Sequence, residues 1–317
     1  MVPTSILFFR FNVSYINTHT PSLYLIFYIN TLSRPLPHLI LDLFPPSASK
    51  SSCSHSTKCS SFFPPPYAMA RLQLSTVLVI SFLQLFSGAQ SSMFTIVNKC
   101  SNTVWPGVLS GAGTPQISPS GFILQPGEST SISFPRSWSG RLWGRTLCTE
   151  DSSGKFYCLT GDCGSSTPEC SGAGAIPPAT LAEFTLNGVG GLDFYDVSLV
   201  DGYNLPMMVS AHGGTGGNCS SAGCAADLNG DCPLELKVVN GSEGVACKSA
   251  CNAFGDPQYC CIGAYATPNT CKPSSYSQFF KAACPTAYSY AYDDGTSTFT
   301  CAGADYIITF CPTPSTR

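Results

Sequence analysis

The residues best placed to do chemistry lie between Thr180 and Met208, TLAEFTLNGVGGLDFYDVSLVDGYNLPMM. Glu183, Asp193, Asp196 and Asp201 fall within this stretch, in a chain where only 10% of residues are charged. Carboxyl groups brought together can act as general acid and base, because each raises the proton affinity of the next. The stretch alternates apolar and polar residues like a half-buried strand, with Gly190-Gly191 and Asp201-Gly202 as turn signals. Carboxylates on sheet surface are costly unless hydrogen-bonded, paired with a cation, or open to solvent in a groove. The pattern therefore reads as the acidic wall of a cleft, and other segments must supply the opposite wall.

Those segments belong to a chain of 317 residues that is not one folding unit. Met69-Ala70-Arg71 opens a secretory pattern: one Arg, the apolar run Val77 to Phe86, then the small-residue exit Ser87-Gly88-Ala89. The run is too short to span a bilayer, so no integral membrane span is expected. Residues 69–89 read as a signal peptide. Residues 1–68, with Pro and Ser clusters and the isolated Cys53 and Cys59, read as a disordered upstream extension outside the natural protein. From residue 91 onward ten Lys and Arg face seventeen Asp and Glu, a balance of −7. An acidic chain without a basic stripe argues against nucleic acid as a partner. Abundant Gly, Ser, Thr and Pro, with little helical periodicity, indicate a mainly β fold.

Eighteen cysteines, less Cys53 and Cys59, leave sixteen between Cys100 and Cys311. An even, dense set behind a signal peptide reads as a disulfide framework in an oxidising compartment. A metal site or a Ser-His-Asp site is not expected, since His212 is the single histidine beyond residue 90. No cofactor is expected either. Helix signals are confined to Ala246–Phe254 and Ser274–Ala283, the latter with Ser caps after Pro273.

Ordered fragments then become recognisable: NKCSNTVWPG (98–107), SGRLWGRTLC (139–148), CLTGDC (158–163), TLAEF (180–184), DFYDVSLVDGYNLPM (193–207), YCC (259–261) and SYAYDDGTSTFTC (289–301). From residue 93 to 313 the chain resembles the plant thaumatin-like proteins of the pathogenesis-related group. It departs from that pattern after Gly161-Asp162-Cys163, where Ser165 and Ser166 stand near a turn that usually has another Gly. The resemblance implies a β-sandwich core (91–147, 180–225 and 285–313) with two disulfide-rich loop domains. The smaller is 148–179; the larger, with short helices, is 226–284. It implies the bridges Cys100–Cys311, Cys148–Cys158, Cys163–Cys170, Cys219–Cys301, Cys224–Cys284, Cys232–Cys247, Cys251–Cys260 and Cys261–Cys271. It also implies a ligand-binding cleft set of Arg141, Glu183, Asp196, Asp201 and Asp293, with Asp294 as the substitute for the last.

Glycoside hydrolysis needs two carboxyls about 5–9.5 Å apart. Asp196 and Asp201 sit an odd five residues apart, roughly 16 Å along a straight strand, so they make a poor pair unless the chain bends at Asp201-Gly202. Glu183 as acid with Asp201 as second carboxylate is the better catalytic pair, and Arg141 is placed to orient a sugar hydroxyl. Asp193 reads as structural. Tyr203 is the candidate groove aromatic, because ring faces stack on pyranose faces. Arg141, Trp143 and Arg145 alternate, so they share one face of a strand; Trp143 reads as core or a cation–π partner, and Trp105 as core. Asn218 and Asn240 head glycosylation sequons.

The resemblance implies a secreted, monomeric antifungal defence protein of the apoplast or cell wall. Its expected partner is β-1,3-glucan or another cell-wall polysaccharide. The alternatives are a weak endo-β-1,3-glucanase and a non-enzymatic protein that perturbs membranes or binds a receptor.

Overall fold

The computed structural model describes residues 91–312; residues 1–68 and 69–89, read above as an upstream extension and a signal peptide, lie outside the described residues. The strands are β1 Ser91–Asn98, β2 Trp105–Ser110, β3 Ser129–Pro135, β4 Ser139–Glu150 and β5 Phe156–Thr160. They continue with β6 Leu181–Thr185, β7 Asp193–Ser198, β8 Met207–His212 and β9 Ala222–Cys224. The last are β10 Lys237–Asn240, β11 Glu243–Cys247, β12 Phe299–Cys301 and β13 Asp305–Phe310. Four short helices follow in chain order: α1 Ala250–Phe254, α2 Pro257–Cys260, α3 Ser275–Ala283 and α4 Asp294–Ser297.

Two sheets make the core, one ordered β3-β1-β13-β8-β9 and the other β12-β7-β6-β4-β2, with β5 extending β4 as a hairpin. The alternation in the sequence accounts for their facing. In β1, Phe94 and Ile96 point inward between exposed or half-buried neighbours; in β7, Asp193, Tyr195 and Val197 do the same. The inward rings meet between the sheets. Phe94 lies 4.1 Å from Phe134, 4.7 Å from Phe184 and 5.2 Å from Tyr306, measured between ring centres. Each such ring contributes about 1.5–3 kcal/mol by leaving water, so this layer carries much of the sandwich's cohesion.

One carboxylate sits inside it. Asp193 is buried, accepting from the Tyr306 hydroxyl at 2.9 Å and from the Asn187 amide at 2.7 Å. It ties the sheets together and faces no groove. Tyr306→Phe keeps the ring and removes one of these donors; we expect a loss of about 1–3 kcal/mol in unfolding free energy. Urea denaturation with disulfides intact measures it.

Eight disulfides staple the loops. Cys100–Cys311 closes a separation of 211 residues, and Cys163–Cys170 one of 7. In the chain-entropy picture the first restricts the unfolded chain by roughly 5 kcal/mol, about twice the second. Cys219–Cys301 and Cys224–Cys284 tie loop segments to the sandwich, Cys100–Cys311 joins the ends of β1 and β13, and the other five bridges lie within excursions.

The helices differ from expectation in two ways. The first starts at Ala250, not Ala246, because Glu243–Cys247 pairs with β10 and Ser249 caps the helix through its hydroxyl. Helix also occurs outside the larger excursion, at α4, whose four residues are too few to leave a periodic signal. Ser166, at the turn that usually has glycine, adopts a left-handed φ of 64°.

Candidate functional site

Strands β4, β6 and β7 lie side by side and antiparallel, with Arg141 opposite Glu183 and Glu183 opposite Asp196. Their neighbours Leu142, Ala182 and Val197 are buried in the sandwich, so the three polar residues share the outer face. Directly opposed side chains on adjacent strands have Cβ atoms about 4.5–5.5 Å apart. Glu183 is therefore flanked by a cation on one side and a carboxyl on the other. One rung along, Trp143 opposes Leu181, and both are covered by Cys163, Cys170 and Ala179 of the smaller excursion. The row lies at the border where that cover ends.

Asp201 reaches the row through a tight turn rather than along a strand. The Gly202 amide donates to the Leu199 carbonyl at 3.0 Å, and the Ala179 amide donates to the Asp201 carbonyl at 3.1 Å. Gly202 takes φ +90°, and a Cβ there would meet Pro178 at 2.6 Å and the Cys247 carbonyl at 2.8 Å. Only glycine fits such a bend. The bend offsets the odd spacing from Asp196 and turns Asp201 toward Arg141.

Arg141 stands between the carboxylates. Its Nε lies 3.7 Å from Glu183 Oε1 and its Nη1 4.0 Å from Asp201 Oδ2, with all three side chains about a third exposed. At those distances the attraction is Coulombic, which leaves guanidinium donors for a ligand. Burial pushes the Asp196 carboxyl well above the usual carboxylate range; Glu183 and Asp294 add to this, and Arg141 opposes it. Burial likewise raises Glu183, helped by Asp201 and opposed by Arg141. Asp201 is raised by burial against Arg141. Asp196 Oδ2 is buried without a hydrogen-bond partner, as suits a proton-holding carboxyl in company with Glu183.

A further wall comes from Tyr288 and Asp294. The Tyr288 amide donates to the Val197 carbonyl at 2.9 Å, and its own carbonyl accepts from Leu199 at 2.8 Å, so the segment lies along the end of β7. The Tyr288 hydroxyl donates to Asp294 Oδ1 at 2.8 Å and also bonds Thr298. Sequence reasoning missed Tyr288. Its only signal was its place in a tyrosine-rich tract beside Asp293-Asp294.

Three expectations need correcting. Asp293 does not join the row: it pairs with Lys281 at 2.9 Å and accepts from the Ser289 amide and hydroxyl at 3.0 and 2.9 Å. Asp294, one residue on, takes the place beside Asp196. Tyr203 is no groove aromatic. It is fully buried, with its hydroxyl donating to the Ala226 carbonyl at 2.9 Å, because the residues after the Gly202 bend turn back into the sandwich. Trp105 is only half-buried and packs on Phe156 with ring centres 6.4 Å apart, at the rim rather than in the core. Trp143 is enclosed and donates to the Gly161 carbonyl at 2.8 Å. Half-buried Tyr259 and Tyr290 line a separate crevice with Val200, the residue before Asp201, and with Ser249, Gln258 and Lys272. Among the described residues no group of His, Cys, Asp and Glu is arranged to hold a metal ion, and no helix is long and apolar enough to cross a membrane.

Comparison with known proteins supplies the class of this disulfide-stapled β-sandwich. The family model for the thaumatin family matches residues 98–312. The chain belongs to the thaumatin family. Among its relatives, pathogenesis-related thaumatin-like protein 3.5 of Cryptomeria japonica is 57% identical over 245 residues, 77% of this chain and 99% of that one. Thaumatin-like protein 1 of Arabidopsis thaliana is 58% identical over 246 residues, 74% of this chain and 93% of that one. Among solved structures, the thaumatin-like xylanase inhibitor TLXI is 26% identical, covering 69% of this chain and 99% of that chain with a TM-score of 0.37.

Proposed function

We propose that this is a secreted plant defence protein whose acidic row binds β-1,3-glucan of fungal cell walls. The observation that carries the reading is the in-register row Arg141–Glu183–Asp196, joined by Asp201 through the Gly202 bend. A neutral glucan offers hydroxyls that donate to carboxylates and accept from a guanidinium. Such charge-assisted bonds are about twice as strong as neutral ones. The row supplies acceptors flanking one multidentate donor.

Glu183→Gln keeps the shape and removes one charged acceptor. Its affinity for an insoluble linear β-1,3-glucan falls about tenfold in sedimentation binding assays. Retention of wild-type affinity removes the row from the binding account. A second reading, weak endo-β-1,3-glucanase activity, is favoured by the upward shift of the Glu183 proton affinity, which suits a general acid at mildly acidic pH. Asp201 is then the second carboxylate. Reducing-sugar release that Glu183→Gln abolishes supports it; release unchanged by the variant assigns the activity elsewhere.

A further inference from the structure

At the other end of β4, where Cys148, Thr149 and Glu150 lie roughly 23–30 Å along the strand from Arg141, a second concavity opens that shares no residue with the acidic row. It holds about 480 Å3 and is walled by Trp105, Phe122, Ile123, Phe156 and Pro168, with Glu150 as its only charged lining residue. That size and apolar character suit a small organic ligand.

Its walls are fixed by an internal cation. Arg145 is fully buried. Its Nε donates to the Trp105 carbonyl at 3.0 Å and its Nη2 to the Pro168 carbonyl at 2.6 Å and the Pro106 carbonyl at 3.3 Å. One side chain thus ties together two segments that face each other across the groove. The guanidinium carbon lies 5.4 Å from the centre of the Phe156 ring, so that ring is backed from behind. The charge of Arg145 is answered by Asp162 and Glu169, so the groove inherits little of it. Ser120 donates through its amide and hydroxyl to Glu169 at 2.8 and 2.7 Å, closing the frame.

The groove itself offers aromatic and aliphatic surface, half of Ile123 exposed, and one exposed carboxylate that makes no hydrogen bond or ion pair among the described residues. We propose that this groove is a binding site for a small flat aryl-alkylammonium ligand, its ring between Trp105 and Ile123 and its ammonium group on Glu150. The charge complementarity selects a cation, and the aromatic walls add cation–π attraction to it. The site is independent of the reading given above for the acidic row.

Titration of the secreted protein with 2-phenylethylamine, 2-phenylethanol and 3-phenylpropanoate, followed by tryptophan fluorescence, tests it. Trp138 and Trp143 are fully buried in other clusters, so Trp105 is the responsive reporter, and Trp105→Phe removes the signal. The expected result is saturable binding of the amine about fivefold tighter than the alcohol, with the propanoate weakest. Glu150→Gln, an exposed change, brings the amine down to the alcohol's affinity. No saturable response to the amine overturns the site; a preference that survives Glu150→Gln, or a signal that survives Trp105→Phe, overturns the assignment of groups within it.

Discussion

Arg145→Ala lowers the unfolding free energy by about 3–4 kcal/mol. The Trp105 and Pro168 carbonyls each lose a donor, while the Pro106 carbonyl keeps the Phe122 amide at 3.3 Å. A long buried side chain is also replaced by a void. Part of the loss is offset because the guanidinium itself is costly to bury; that cost is visible in its proton affinity, pushed down to about 10 by burial. The packing leaves no room for rearrangement: a Cβ on Gly121 would lie 2.0 Å from the Pro168 carbonyl oxygen and 2.8 Å from Arg145 Nη2. Arg145→Met fills the volume without the donors and loses about 2 kcal/mol. Urea unfolding at neutral pH with disulfides intact measures both. A loss below about 1 kcal/mol for the alanine variant means the carbonyls find other partners and Arg145 is not the staple.

Arg141→Gln has the largest expected effect on binding. The guanidinium lies between Glu183 and Asp201 and is, among the described residues, the cation that pairs with both. Losing charge-assisted bonds to sugar hydroxyls, each about 1.5–3 kcal/mol, weakens glucan binding by about 10- to 100-fold. The same variant alters the pH dependence of stability. Glu183, Asp196 and Asp201 all have folded proton affinities raised above the ordinary carboxylate value. The folded chain therefore holds more protons than the unfolded chain above about pH 4. Their contribution is fully present below that pH and is lost as pH rises through the raised values. Arg141 opposes all three shifts, so removing it steepens the decline. Because the groups are partly exposed, the extra loss at pH 7 is about 1 kcal/mol. Asp196→Asn flattens the decline by removing the most strongly shifted group. Thermal melts from pH 4 to pH 8 resolve these slopes, and a slope in Arg141→Gln no steeper than wild type contradicts the electrostatic description of the row.

The row was partly legible because strand alternation is local. The period-two pattern turns Glu183 away from the inward Phe184 and Asp196 away from the inward Tyr195, each on its own strand, while their facing each other depends on the register of β6 with β7. Asp201 needed a bend, and the Asp-Gly pair announced one. What was not legible depended on long-range packing. Asp293 and Asp294 are adjacent, and which one meets Asp196 depends on Lys281, sixteen residues before Ser297, bonding both Asp293 and the Ser297 hydroxyl. Tyr203 lies two residues from Asp201 but on the inward side of the bend, a reversal that polarity patterns cannot express. Tyr288 contributes through backbone bonds to Val197 and Leu199, which leave no trace in side-chain type. The cysteine partners came from the family resemblance, since spacing admits many pairings.

Sugar recognition is assigned to the outer face of β4, β6 and β7. Calorimetric titration of the wild-type protein with a linear β-1,3-glucan hexasaccharide, alongside Arg141→Gln, tests this most directly. The predicted result is saturable binding by wild type and a loss of about 10- to 100-fold in the folded variant. Equal affinity in the two proteins, or no binding by wild type, contradicts it.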